Sequence, residues 1–327
     1  MATVVGSYPT PAWLAAQPST SALRDAVMVV LKTQELAGLD LISDGELARF
    51  DVNHPETNGM IEYFTSRLDG VALSLTRSER EALRDRGDLA FRRQPGGVVR
   101  SRIGEGRLDL RTSWDGLREL STTPMKLTVT SPYMLARSLA DEHYGDPGAL
   151  ADDIAGVLAE QVAGIEAAAI QLDEAELPGH PGDIAWAHEP INRVLDGVAG
   201  TRAVHVCFGN YGAQRVHEGS WESLLGFLDA LHADVVLLEL ARHGGPALTL
   251  FRGLRPGLGV GVIDVKDLEI ETADVVARRI EAAVSALDVD AVRWVHPDCG
   301  LWMLPRTVAD GKLAALVAGR DLFEGRR

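Results

Sequence analysis

The chain has 327 residues, 46% of them hydrophobic, which is enough to bury a large core, and a single α/β barrel domain commonly has this length. Its formal net charge of -15 repels phosphate backbones and anionic lipid surfaces, so nucleic-acid and membrane partners are not expected. Two cysteines, an opening ATVVGSYPTP without a basic and apolar leader, and no apolar run near ~20 residues predict a cytoplasmic chain with neither export signal nor membrane span.

Residues 3–7 (TVVGS) read as a first strand closed by Gly6, and 22–39 as a helix with Gly38 near its end. Residues 41–43 form a second strand leading into Asp44, Gly45 and Glu46. From 47 to 123 the pattern breaks into a long, charged insertion over one face, with amphipathic pieces at 58–68 and 78–86 and an ordered turn at 114–120. Its arginines (Arg92, Arg93, Arg100, Arg102, Arg107 and Arg111) are interleaved with Glu105 and Asp109, a mixed surface. Strand three is 125–130, followed by a helix at 152–168, strand four at 169–172 ending on Asp173 and Glu174, and a helix at 184–198. Strand five (203–207), a helix at 221–231, strand six (234–238) ending at Glu239 and a short helix at 248–254 come next. Strand seven (260–263) ends at Asp264 and Lys266, Thr272 caps a helix at 272–287, and strand eight (291–295) precedes His296 to Gly300 and a helix at 308–318.

Eight strand and helix pairs with continuously apolar strands predict a parallel (β/α)8 TIM barrel, one domain over 1–327, with a doubly wound open sheet as the alternative. The polar residues favour the barrel. Ser7, Glu46, Asp173, His205, Cys207, Glu239, Lys266 and Cys299 all fall at the C-terminal ends of strands, which in a barrel meet at one mouth.

His205 and Cys207 lie two apart, so both point to one side of strand five. With Glu239 and Cys299 from strands six and eight they would offer zinc four N, S and O ligands. Three anionic ligands and one neutral imidazole suit a metal that holds a substrate thiol deprotonated but nucleophilic.

At these residues the chain resembles the C-terminal catalytic barrel of cobalamin-independent methionine synthase. The matching stretches are VGSYPTP, ISDGELARFD with MIEYFTSRLDG, IQLDEAEL, HVC, ADVVLLE and HPDCGL, in that order. The resemblance implies Zn2+ on His205, Cys207, Glu239 and Cys299, and homocysteine held by the Gly6 and Ser7 backbone, Glu46 and Asp173. Three positions depart from the two-barrel members of the family: Arg137 stands for a folate-stacking Trp, Gly179 for a folate-contacting acid, and Lys266 for a proton-donating His. Single-barrel relatives share the GVIDVK pattern around Asp264 and Lys266; they include core methionine synthases, fed by a corrinoid, and epoxide to coenzyme M transferases.

The expected activity is methyl transfer to homocysteine from a donor other than polyglutamylated folate, such as a methylcorrinoid or corrinoid protein, with Lys266 assisting the departing donor. The mouth between Tyr133, Arg137 and the insertion would receive that donor, and Trp114, Tyr133 and Trp186 are the candidates for an aromatic platform. Two other readings stand beside it. In one, Arg137 or Arg49 binds the sulfonate of coenzyme M and an epoxide is opened; in the other, the zinc is structural and the protein performs no chemistry.

Overall fold

A computed structural model of the chain describes residues 1–49, 59–77, 95–211 and 214–326. Six parallel strands form its centre, in the order Val292–Pro297, Gly257–Ile263, Val235–Leu238, Thr201–Val206, Ala169–Glu174, Lys126–Thr130. Lys126–Thr130, Ala169–Glu174 and Val235–Leu238 are buried at every residue, as strands covered on both faces must be. The two outer strands are joined through the first two predicted strands, which are reduced to isolated parallel bridges: Ala2 with Val295, Thr3 with Leu41, and Ile42 with Met125. The arrangement is therefore TIM-barrel-like, with a six-stranded ladder and single bridges, not ladders, at the seam.

The helices pack outside this sheet. Thr20–Ala37 is capped by the Ser19 side chain and stops at Gly38, whose φ of 87° suits glycine. Pro147–Val162 starts earlier than the pattern predicted, because Asp146 caps it and Pro147 occupies its first turn, and ends earlier, because Gly164 turns left-handed at φ 74°. The good helix formers Ala167 and Ala168 instead lead into the next strand. Thr272 caps Ala273–Leu287 as expected, and Arg306–Phe323 extends past both predicted ends.

The insertion carries a sheet of its own. Asp69–Ala72 pairs antiparallel with Val98–Gly104, which pairs parallel with Ala140–Asp141, a strand beyond the predicted end of the insertion. The turn predicted at 114–120 overlaps a helix, Leu110–Arg118, that buries Trp114. The amphipathic piece at 78–86, together with Arg92 and Arg93, lies outside the described residues. Among the described residues no helix is long and apolar enough to cross a membrane.

Alternation along the strands stacks the interior in layers. Leu41, Ala169, Ala203, Val235, Leu237 and Trp294 form a separate apolar cluster as its floor. Two residues further along the same faces come Gln171 and His205, then Asp173 and Cys207, so the interior turns polar toward the C-terminal ends.

Candidate active and metal site

Asp173 and His205 are register partners on adjacent strands, and each is 2% exposed. They line one pocket with Ser7, Glu46, Cys207 and Cys299. Convergence of strand ends has thus brought six of the predicted residues to one mouth.

His205, Cys207 and Cys299 offer ligand atoms that all lie within 4.8 Å of one another. The Sγ atoms of the two free cysteines are 4.0 Å apart. His205 Nδ1 lies 3.2 Å from the Leu237 carbonyl oxygen, which only accepts, so in the neutral ring Nδ1 carries the proton and Nε2 presents its lone pair. Nε2 is buried and has no hydrogen-bond partner. An orphaned imidazole nitrogen beside two thiols fits a soft divalent ion such as zinc, with the Leu237 carbonyl orienting the ring.

The same neighbours perturb the thiols. The hydrogen bond shared with Cys207 holds Cys299 well below the ordinary thiol range against its burial, helped by His205 and Lys266. Cys207 is pushed well above that range by the same hydrogen bond and by burial. Burial opposes charge on His205, yet Cys299, Asp173 and Glu239 together raise its pKa. The lowered Cys299 pKa favours the thiolate form that a metal binds.

The expected fourth ligand stands apart from this group. Glu239 Oε2 accepts from Lys266 Nζ at 2.8 Å, and neither residue lines the pocket. Asp264 is equally engaged: its Oδ2 meets Arg242 Nε at 2.6 Å, and its Oδ1 accepts from the Lys266 backbone at 2.8 Å.

The carboxylate wall faces the thiols. Glu46 has a left-handed backbone, φ 59°, uncommon for a side chain of its size. Its Oε1 accepts from Thr128 Oγ1 at 2.7 Å, and its Oε2 lies 3.6 Å from Arg49. Gly6 permits this approach, because a Cβ there would stand 3.0 Å from Thr128 Cγ2 and 3.1 Å from Glu46 Cδ. The Gly6 carbonyl accepts from Ser43 Oγ at 2.8 Å, and that of Ser7 from Leu301 N at 2.9 Å, so the first loop is tied to both neighbouring segments. Burial raises the Asp173 pKa, and the negative charge of Glu46 adds to the effect.

Tyr133 and Arg137 do not line this pocket. Both donate to Asp183 Oδ2, Tyr133 at 2.6 Å, and Tyr133 packs edge-on against Trp186 with centroids 5.3 Å apart. Trp114 is buried elsewhere in the core. Arg49 is not itself in the lining: it donates to Thr128, lies over the Tyr63 and Phe64 rings and stands 3.6 Å behind the Glu46 carboxylate.

Sequence reasoning missed Trp302, Met60 and Met134, which add apolar surface to the pocket, and Glu174 and Glu176, which extend its acidic wall. Glu174 accepts from Ser131 Oγ and from the backbone of Glu176 and Leu177, and burial raises its pKa to about 7. Glu174 could have been found beside Asp173 in LDEAEL, and Trp302 three residues past Cys299.

A family model of the cobalamin-independent synthase catalytic domain matches residues 1–319. The methionine synthase of Sulfurisphaera tokodaii is 32% identical over 336 residues, which span 98% of this chain and 91% of that protein. That of Sulfolobus acidocaldarius is 30% identical over 333 residues, 97% of this chain and 90% of the other. Among solved structures, a B12-independent methionine synthase from Shewanella sp. W3-18-1 in complex with selenomethionine superposes with a TM-score of 0.83 at 25% identity, over 99% of this chain and 97% of that one. A methyltransferase from Methanosarcina mazei shares the fold, with a TM-score of 0.61 at 13% identity over 99% and 94% of the two chains. Because the family's pattern spans almost the whole chain in both sequence and fold, the chain belongs to the cobalamin-independent methionine synthase family.

Proposed function

We propose that this protein is a zinc-dependent methyltransferase that converts homocysteine to methionine, using a donor other than polyglutamylated folate, such as a methylcorrinoid or corrinoid protein. The observation that carries the reading is the division of one pocket into a His205, Cys207 and Cys299 cluster and a wall of carboxylates, with no lysine or arginine among the described residues of the lining. Such a wall attracts an ammonium group and repels a sulfonate, which favours an amino-acid thiol over coenzyme M. Relatives named methionine synthase and a neighbour solved with selenomethionine point the same way.

His205, Cys207 and Cys299 would hold the ion, with Glu239, whose Oε2 is paired with Lys266, as the fourth candidate ligand. Zinc bound there supplies the positive charge that keeps a substrate thiol deprotonated near neutral pH. Glu46 and Asp173 take the substrate amine and so direct its sulfur toward the cluster. Ser7 closes the wall beside Gly300. Met60, Met134 and Trp302 give the donor an apolar approach that excludes water from the reacting sulfur. Lys266 and Asp264 hold Glu239 and Arg242 in place through ion pairs.

The test is methionine formation by the zinc-loaded protein from homocysteine, with methylcobalamin and methyltetrahydrofolate offered at equal concentration. Methionine formed with the corrinoid and little with the folate is expected. Robust turnover with methyltetrahydrofolate alone overturns the donor assignment. Alkylation of coenzyme M in place of homocysteine overturns the acceptor.

A further inference from the structure

Beneath the pocket, Lys126 is 1% exposed, a buried amine that the proposed chemistry does not use. Its Nζ donates to the Val4 carbonyl and to Gln171 Oε1, the latter at 2.6 Å, and sits 5.7 Å over the ring of Trp294 in the interior floor. Gln171, on the same strand face as Asp173, places its Nε2 2.8 Å from the Val5 carbonyl oxygen and 2.6 Å from Asp173 Oδ1.

With Lys126 as the ammonium and Asp173 as the carboxylate, one hydrogen-bonding sense satisfies this chain. An ammonium only donates, whereas a backbone carbonyl and a carboxylate accept. Of the two ways to place the Gln171 amide, only one satisfies Lys126, Val5 and Asp173 together. The other would set nitrogen against ammonium and oxygen against two acceptors, in a site with no solvent to compensate. Lys126 therefore holds the amide from below, and the amide holds Oδ1 of Asp173, leaving Oδ2 as the oxygen free to face the pocket. Burial lowers the Lys126 pKa to about 7, while the negative charges of Asp173 and Glu46 oppose that.

We propose that Lys126 and Gln171 are positioning residues for the amino group of the thiol substrate, acting through Asp173. This rests on the reading that Asp173 receives that amine, and the experiment separates the two claims. Calorimetric titration of the zinc-loaded protein compares homocysteine with 4-mercaptobutyrate, the same thiol acid without its amino group. In the wild type, homocysteine is expected to bind at least about tenfold more tightly, the worth of one charge-assisted contact. In Lys126→Met that advantage is expected to shrink by a factor of roughly ten, while 4-mercaptobutyrate affinity and zinc content stay within about twofold, a split that general loosening of the fold would not produce. Gln171→Met, which leaves the lysine in place, carries the same test where Lys126→Met melts too low to titrate. No preference for homocysteine in the wild type overturns the amine reading and the proposal with it. A preference that survives both variants, or equal loss of both thiols, overturns the proposal alone.

Discussion

Gly6→Ala adds one methyl group at the point where the first loop passes under Glu46. The new Cβ would lie 3.0 Å from Thr128 Cγ2, 3.1 Å from Glu46 Cδ and well inside van der Waals contact of Glu46 Oε1. The carboxylate cannot slide away freely, because Arg49 stands 3.6 Å from its other oxygen and its own backbone is held at φ 59°. Relief requires Oε1 to leave Thr128, breaking the 2.7 Å hydrogen bond that orients it. Loss of a hydrogen bond to a charged group costs about 1.5 to 3 kcal/mol, and misplacing an acid that contacts a cationic amine forfeits a contact of the same kind. We predict that homocysteine affinity, measured by calorimetry on the zinc-loaded protein, falls by a factor of roughly 10 to 100. Zinc content should not change, because the atoms nearest the new methyl group belong to Glu46 and Thr128, not to His205, Cys207 or Cys299. Wild-type affinity in a folded Gly6→Ala protein would refute the placement of the amine against Glu46.

Asp173→Asn keeps an acceptor for Gln171 but removes the negative charge, so homocysteine binding should weaken by more than ~1 kcal/mol at unchanged zinc content; unaltered affinity would make Asp173 a structural residue only. Glu174 has its pKa raised in the folded protein from 4.5 to about 7, so its protonated form favours folding: that contribution is fully present below pH 4.5 and is lost as pH rises through about 7. Glu174→Gln should therefore flatten the fall in urea-unfolding free energy across this window by on the order of 3 kcal/mol, and an unchanged slope would contradict the assignment.

The strands were legible because a sheet covered on both faces needs unbroken apolar runs, and DVVLL and AIQL supply them. The site was legible for a related reason: His205, Cys207, Asp173 and Cys299 each stand where an apolar run gives way to polar residues, and a barrel gathers those ends. What stayed hidden were pairings between side chains far apart in sequence. Tyr133 and Arg137 reach Asp183 across a bend, and Lys266 reaches Glu239 from the next strand, so residues expected to face the donor or the metal are held by partners instead. Lys126 is the instructive omission. It is a lone charge inside MKLTVT, and a lysine buried within a barrel must find acceptors; those it finds lead to Asp173. The alanines at 167 and 168 misled in the opposite direction, since helix propensity yields to a left-handed glycine at 164.

The central claim is that the His205, Cys207 and Cys299 cluster holds zinc and that the substrate sulfur joins it. X-ray absorption at the zinc edge, recorded on the wild type with and without homocysteine, tests this most directly. The account predicts about one zinc per chain with two protein sulfurs, a third sulfur on addition of homocysteine, and loss of the metal in folded Cys207→Ser and Cys299→Ser proteins. A coordination shell unchanged by the thiol, or full zinc in both cysteine variants, would contradict it.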